Sequence, residues 1–208
     1  MKIKDAELYS FQFQPWSRSP AATDHFKPSV VAEPAKVPVA DKWTEWEANA
    51  TPYGGSEVLA KIRKAKESGS HFINLEASGI TDVAPLAGWT KMGTLGIGGN
   101  KISDLTPLAG LTKLVHLISN ENQISDLSPL ANLGSLVALG LSENQVVDLT
   151  PVSGLKSLKR LYLRQNRIDD LSPLANLENL LELGQKHLRV SVPLHIEQNN
   201  IQLPFYVL

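Results

Sequence analysis

Between residues 70 and 177 the apolar positions recur in a fixed phrase, L-x-x-L-x-L-x-x-N-x-I-x-D-L-[ST]-P-L-x-x-L. Leu136, Leu139, Leu141, Asn144 and Val146 spell it once, and Leu158, Leu161, Leu163, Asn166 and Ile168 spell it again. The alternation of Leu161 and Leu163 has period two, which predicts a short strand with one buried face. Each phrase then carries a helix-start signal: Thr106-Pro107, Ser128-Pro129, Thr150-Pro151 and Ser172-Pro173. The hydroxyl is expected to cap, and proline suits a first helical position because its missing N–H has no partner there anyway. So few residues follow that the spacing predicts a single 3₁₀ turn instead of a long helix.

The phrase keeps time. Asn100, Asn122, Asn144 and Asn166 are 22 residues apart. Asp82, Asp104, Asp126, Asp148 and Asp170 run on the same clock, as do Pro85, Pro107, Pro129, Pro151 and Pro173, and Leu95, Leu117, Leu139 and Leu161. One unit cannot bury its leucines alone. Stacked units share a continuous core, to which each buried leucine contributes roughly 1.5–3 kcal/mol. Each asparagine falls where the strand turns away, leaving interior backbone groups without strand partners that stacked amides can satisfy.

These residues resemble the leucine-rich repeats of the 22-residue class, found in bacterial internalins and in some phosphatase-regulating proteins. The resemblance covers about residues 70–177. It implies an α/β fold: a curved right-handed leucine-rich-repeat solenoid with a concave parallel β-sheet, short 3₁₀ turns on the convex side and an N-terminal capping helix.

The ends depart from the pattern. Residues 70–89 form a first unit with Ser78 in the asparagine position and Trp89 in a leucine position, as terminal units of solenoids often do. Before it, "SEVLAKIRKAKESG" (56–69) gathers Val58, Leu59, Ile62 and Ala65 on one face, with Gly69 as a stop, and reads as a helix closing the open end of the core. It resembles the helix that precedes some bacterial cytoplasmic leucine-rich repeats. "DKWTEWEANA" (41–50) fits a short helix capped by Asp41, with Trp43 and Trp46 packing on the capping helix. The resulting division is a Pro-rich tail over 1–40, a helical cap over 41–69, repeats over 70–177, and an irregular last repeat with a C-terminal cap over 178–208. In that last stretch Gln185 replaces a core leucine, and the signature returns only at Leu194, Ile196, Asn199 and Ile201. Either one longer unit carries a convex helix near 174–188 or a unit is cut short; the longer helix is preferred.

Composition narrows the chemistry. The chain has 208 residues, a net charge of −1 and no cysteine, which excludes disulfides, thiolate zinc sites and cysteine nucleophiles. Near-balanced charge gives no strong attraction to nucleic acid or anionic lipid. The N-terminus has no apolar signal core, so a cytoplasmic, monomeric protein without cofactor is the expectation. "GIGGN" (96–100) lacks the Lys-Ser or Lys-Thr of a phosphate loop. The aspartates precede their own turns, where Asp commonly bonds backbone two or three residues on, so they read as structural and not as calcium ligands. His25, His71, His116, His187 and His195 show no ligand spacing. Ser119 stands where Ile97, Leu141 and Leu163 occupy the core, which reads either as slippage with Ile118 partly taking over or as a polar pocket.

What remains is the concave face. Its outward residues alternate with the leucines: Phe72, Asn74 and Glu76; Thr94, Gly96 and Gly98; His116, Ile118 and Asn120; Ala138, Gly140 and Ser142; Arg160, Tyr162 and Arg164. The glycines are expected to leave a smooth patch that a partner's backbone could approach. Tyr162 between two arginines is the best anchor, since Tyr and Arg dominate interface hot spots. Phe72, Asn74, Glu76, His116, Ile118, Asn120, Arg160, Tyr162 and Arg164 are the candidate partner-binding residues, with Glu121 and Glu143 at the rim. Six strands spaced about 4.8 Å apart make a sheet roughly 25–30 Å wide, ample for the ~800 Å² per partner of a specific interface. The leading expectation is a non-catalytic protein-binding module. The alternative is the recognition domain, or a truncated fragment, of a larger enzyme such as a ubiquitin-ligase effector or a GTPase with leucine-rich repeats, although the chain itself has no P-loop. Receptor binding of the internalin kind is not carried over, because the secretion signal and immunoglobulin-like region of that family are not seen.

Overall fold

The computed structural model describes residues 42–184. Six three-residue strands lie in one parallel sheet in chain order: β1 (Phe72–Asn74), β2 (Thr94–Gly96), β3 (His116–Ile118), β4 (Ala138–Gly140), β5 (Arg160–Tyr162) and β6 (Glu182–Gly184). The pairing register advances by one repeat at every step. Ile73, Leu95, Leu117, Leu139, Leu161 and Leu183 are therefore successive cross-strand partners, and all six are buried. Each coil returns through a 3₁₀ turn, at Ala84–Leu86, Thr106–Leu108, Ser128–Leu130, Thr150–Val152 and Ser172–Asn176. Leu108, Leu130, Val152 and Leu174 point inward from these turns and close the core from the convex side.

Proline stands at the start of every turn, as expected, but the cap is not the hydroxyl. In each case the aspartate two residues earlier accepts the first amide: Ala84 N–H to Asp82 Oδ1 at 2.7 Å, and Thr106, Ser128, Thr150 and Ser172 N–H to Asp104, Asp126, Asp148 and Asp170 Oδ1 at 2.8 Å. The Ser172 hydroxyl instead donates to Asp170 Oδ2 at 2.8 Å. A carboxylate is the stronger acceptor, so it takes the amide and leaves the hydroxyl as a second donor to itself. These bonds, hydroxyl first and amide second, hold the Asp126 and Asp148 carboxyls below the usual carboxylate range.

The asparagines form a buried ladder that ties each coil to the one before. Asn100 Nδ2 donates to Leu75 O and Ile97 O, both at 2.9 Å, and lies 3.1 Å from Gly98 O. Its Oδ1 accepts from Ser78 N and Ile80 N at 3.0 Å. Asn122 and Asn144 repeat the pattern, accepting from Ile102 N and Ile124 N at 2.9 Å, and Asn166 accepts from Val146 N. The residue before each ladder position takes a positive φ: Ala77 (49°), Gly99 (66°), Glu121 (55°), Glu143 (57°) and Gln165 (55°). A left-handed backbone costs a non-glycine residue roughly 1–2 kcal/mol. The amide network and the coil around it hold that conformation in place.

Two expectations about the chain's course need correction. No longer helix occupies the described part of 174–188. The turn ends at Asn176, and β6 arrives on schedule, with Leu183 opposite Leu161. The apolar periodicity of Leu177, Leu180 and Leu183, all buried, outweighs the helix-favouring composition around them. Gln185 and the signature at 194–201 lie outside the described residues. Nor does the third coil slip: Ser119 is 0 % exposed and keeps the core position, while Ile118 is 40 % exposed on the sheet's outer face. The Ser119 hydroxyl donates to Gly140 O at 2.8 Å, which satisfies it inside the core.

The N-terminal end is closed by two helices, α1 (Lys42–Ala48) and α2 (Ser56–Glu67). Asp41 lies outside the described residues. Leu59 and Ile62 are buried, with Val58, Ala65 and Trp43 partly buried beside the core. Trp43 and Trp46 meet edge to face at 5.0 Å between ring centroids. Lys66 fastens the cap to the first coil. Its ammonium donates to Pro85 O and Ala87 O at 3.0 Å and sits 5.9 Å and 6.0 Å from the Trp43 and Trp89 ring centroids. Partial burial there lowers its pKa. The outer edge of β1 is blunted by side chains: Lys61 Nζ donates to Asn74 O at 2.6 Å and Ser70 Oγ to Phe72 O at 2.7 Å. An edge whose carbonyls are already taken is a poor template for another strand.

Candidate functional site

The side chains that leave the sheet on its outer face form three rows, one residue per coil, because the register is uniform. The first row is Phe72, Thr94, His116, Ala138, Arg160 and Glu182; the second is Asn74, Gly96, Ile118, Gly140, Tyr162 and Gly184. The third row holds Glu76, Gly98, Asn120, Ser142 and Arg164, whose coils stay paired through Ala77 N–H to Gly98 O, Gly99 N–H to Asn120 O, Glu121 N–H to Ser142 O and Glu143 N–H to Arg164 O. All nine residues expected at a partner site therefore stand on this one face.

In the second row large and small residues alternate, and neighbouring side chains lie over the glycines. A Cβ placed on Gly184 would fall 2.5 Å from Tyr162 Cδ1; one on Gly140 would fall 2.9 Å from Asn120 Oδ1; one on Gly96 would fall 3.2 Å from Asn74 Oδ1. Gly96, Gly98 and Gly140 are accordingly buried, so the expected open glycine patch does not exist. The glycines instead make room for Asn74, Asn120 and Tyr162 to lie down on the sheet. Once flat, the two amides turn to the backbone: Glu76 N–H donates to Asn74 Oδ1 and Ser142 N–H to Asn120 Oδ1, both at 2.9 Å.

Tyr162 is held at both ends. Its ring rests over Gly184 and its hydroxyl donates to Glu182 Oε2 at 3.0 Å. Burial raises the phenol pKa first, and the Glu182 carboxylate adds to the effect. Sequence reasoning missed Glu182. The signal is present, since Glu182 follows Arg160 by one 22-residue step, but Gln185 in a leucine position just beyond it masks the rhythm. His116 Nδ1 lies 3.2 Å from Thr94 Oγ1, a structural pairing within the first row. Phe72, 57 % exposed, and Ile118 are the large apolar side chains exposed on the face. Arg160 and Arg164 are exposed, and the ion pairs among the described residues belong to the cap, where Arg63 meets Glu47 at 3.0 Å and Glu67 at 3.3 Å. The aspartate ladder lies elsewhere and is engaged with its own turns.

Comparison with known proteins fits this geometry. The family described as leucine-rich repeats (2 copies) matches residues 94–132 and 135–183. No curated protein sequence matches the chain. Among solved structures, internalin C2 of Listeria monocytogenes is 37 % identical with a TM-score of 0.58, over 65 % of this chain and 57 % of that one. An internalin of the same species, internalin F, is 36 % identical with a TM-score of 0.52, over 56 % of this chain and 35 % of that one. A leucine-rich-repeat protein of Leptospira interrogans is 28 % identical with a TM-score of 0.53, over 58 % of this chain and 32 % of that one. The chain thus spans little more than half the length of the first and about a third of the other two. Sequence period, asparagine ladder and these likenesses agree: this is a leucine-rich-repeat protein whose repeats, of the 22-residue class, are similar to those of bacterial internalins.

Proposed function

We propose that the chain is a non-catalytic recognition module that holds a protein partner on the concave face of its sheet. One observation carries this reading. The inward side chains of the strands repeat from coil to coil, whereas the outward ones change at every coil and include Phe72, Ile118, Tyr162, Arg160 and Arg164. Packing explains the inward set and the seat of Tyr162 on Gly184, but not the exposed Phe72, Ile118, Arg160 and Arg164. Exposed apolar and arginine side chains on a rigid surface are the raw material of interface hot spots. The strands are preformed, so binding orders little backbone and loses little conformational entropy.

The test is capture of host proteins by the immobilised chain, compared side by side with a variant carrying Tyr162→Ala and Arg164→Ala. A partner retained by the first and lost by the second, with both melting normally, supports the concave face. Equal retention by both places the contact on another surface.

A further inference from the structure

We infer that the concave face selects an acidic segment of its protein partner, with carboxylates of that segment meeting Arg164 and Arg160 and a neighbouring apolar side chain resting on Ile118. This rests on the concave-face reading above and names the chemistry that the face selects.

The fifth coil brings two exposed arginines to the face. Arg160, at the start of β5, and Arg164, two residues past its end, stand on the same outer face, flanking Tyr162, and neither is within ion-pair distance of a carboxylate among the described residues. The acid nearest in register, Glu182 opposite Arg160, is engaged by the Tyr162 hydroxyl. Extended backbone rises about 3.4 Å per residue, so the two arginine Cα atoms are at most about 13–14 Å apart. Such a spacing suits two separate carboxylates on one segment better than a single small anion. Guanidinium forks bind carboxylates through paired hydrogen bonds, which fixes orientation as well as adding attraction.

The apolar half of the proposal comes from Ile118. It lies two strands from Tyr162, and Gly140 between them contributes no side chain. The Asn120 amide covers Gly140, so the apolar contact on offer is the exposed Ile118 side chain itself. At the other end Glu76 reaches toward Asn74, whose Nδ2 is 3.5 Å from Glu76 Oε2, so the first coil is acidic while the fifth is basic. The partner segment therefore has a preferred direction, its acidic end over β5. An extended polyanion is disfavoured, because Glu76, Glu121 and Glu143 also line or rim the face, and nucleic-acid binding depends on neutralising many phosphates.

Short random peptides displayed on phage, selected on the immobilised full chain, test this. The selected peptides are expected to pair Asp or Glu with an adjacent apolar residue and to weaken as salt rises. Arg164→Ala should lower their affinity roughly tenfold, and Arg164→Glu should be restored by peptides whose acid is replaced by lysine. Binders that depend on Ile118 and Tyr162 but show no acidic preference overturn the acidic-partner inference and leave the concave reading standing. A selection with no binders, or with binders indifferent to every concave substitution, overturns both. Equal, Arg164-dependent binding of a single-stranded oligonucleotide replaces the inference with a general polyanion site. Each variant's circular dichroism melt shows that it is folded before its binding is compared.

Discussion

The two faces of the same six strands obey different rules. Inward, Leu95, Leu117, Leu139, Leu161 and Leu183 occupy one position in register, all fully buried. Outward, one residue further along, the chain writes glycine, isoleucine, glycine, tyrosine and glycine. A single backbone geometry thus carries a constant message on one side and a variable one on the other. The inward side has one solution, because a stacked core tolerates little change in volume. The outward side is free to vary wherever a side chain can stand in water or lie over a glycine. The fold is specified by the first set of residues, and the proposed binding preference would be carried by the second.

That separation can be broken most forcefully from the inside. Leu139→Ala should lower unfolding free energy by about 2–5 kcal/mol, because its neighbours above and below cannot close the cavity; an unchanged urea midpoint would remove Leu139 from the core. Asn122→Ala should follow at about 1–3 kcal/mol. It strands the buried Ile102 amide and removes one of the two amide donors to each of the Ile97 and Ser119 carbonyls, which Asn100 and Asn144 still reach. Recovery of full stability by Asn122→Ser would show that the ladder needs only an acceptor there.

On the convex side the effect is smaller and depends on pH. Asp126→Ala should cost about 1 kcal/mol near neutrality by uncapping its turn. The folded Asp126 carboxyl titrates below its unfolded value. Its contribution is therefore present above the ordinary carboxylate pKa and is lost as pH falls through the lowered one. Melting curves of the variant and parent should converge in acid; a gap that persists there would assign the loss to something other than the carboxylate. Least of all should the outward side matter to stability. Tyr162→Ala with Arg164→Ala is expected to change it by about 1 kcal/mol or less, while abolishing partner capture.

The same contrast explains what the sequence made legible. The strands, the 3₁₀ turns and the asparagine ladder follow from residues that repeat, because repetition amplifies a weak local signal, and the capping helix follows from its one apolar face. The aspartate caps were half visible: their bond to the backbone was foreseen, but the competing hydroxyl was given the capping role. The last coil was misread at Glu178–Leu183, where polar residues between the leucines resemble a helix and the register with Leu161 is a tertiary fact. At the candidate site the outward residues could be named from period two alone. Their arrangement could not. Tyr162 lies over Gly184 and reaches Glu182, and Asn120 covers Gly140, through contacts between coils that no single phrase records. Ser119 shows the limit most plainly: a polar letter in a leucine position, resolved by one hydrogen bond to the neighbouring strand.

Residue-resolved amide hydrogen exchange tests the division most directly. The amides of Leu75, Ile97, Ser119, Leu141 and Leu163 each donate to the next strand. They should exchange slowly and together, keep that protection when Tyr162 and Arg164 are both replaced by alanine, and lose it together in Leu139→Ala. Fast exchange at these amides in the parent, or loss of protection in the outward-facing variant equal to that in Leu139→Ala, would contradict the claim that the inward stack, and not the outward face, holds the fold.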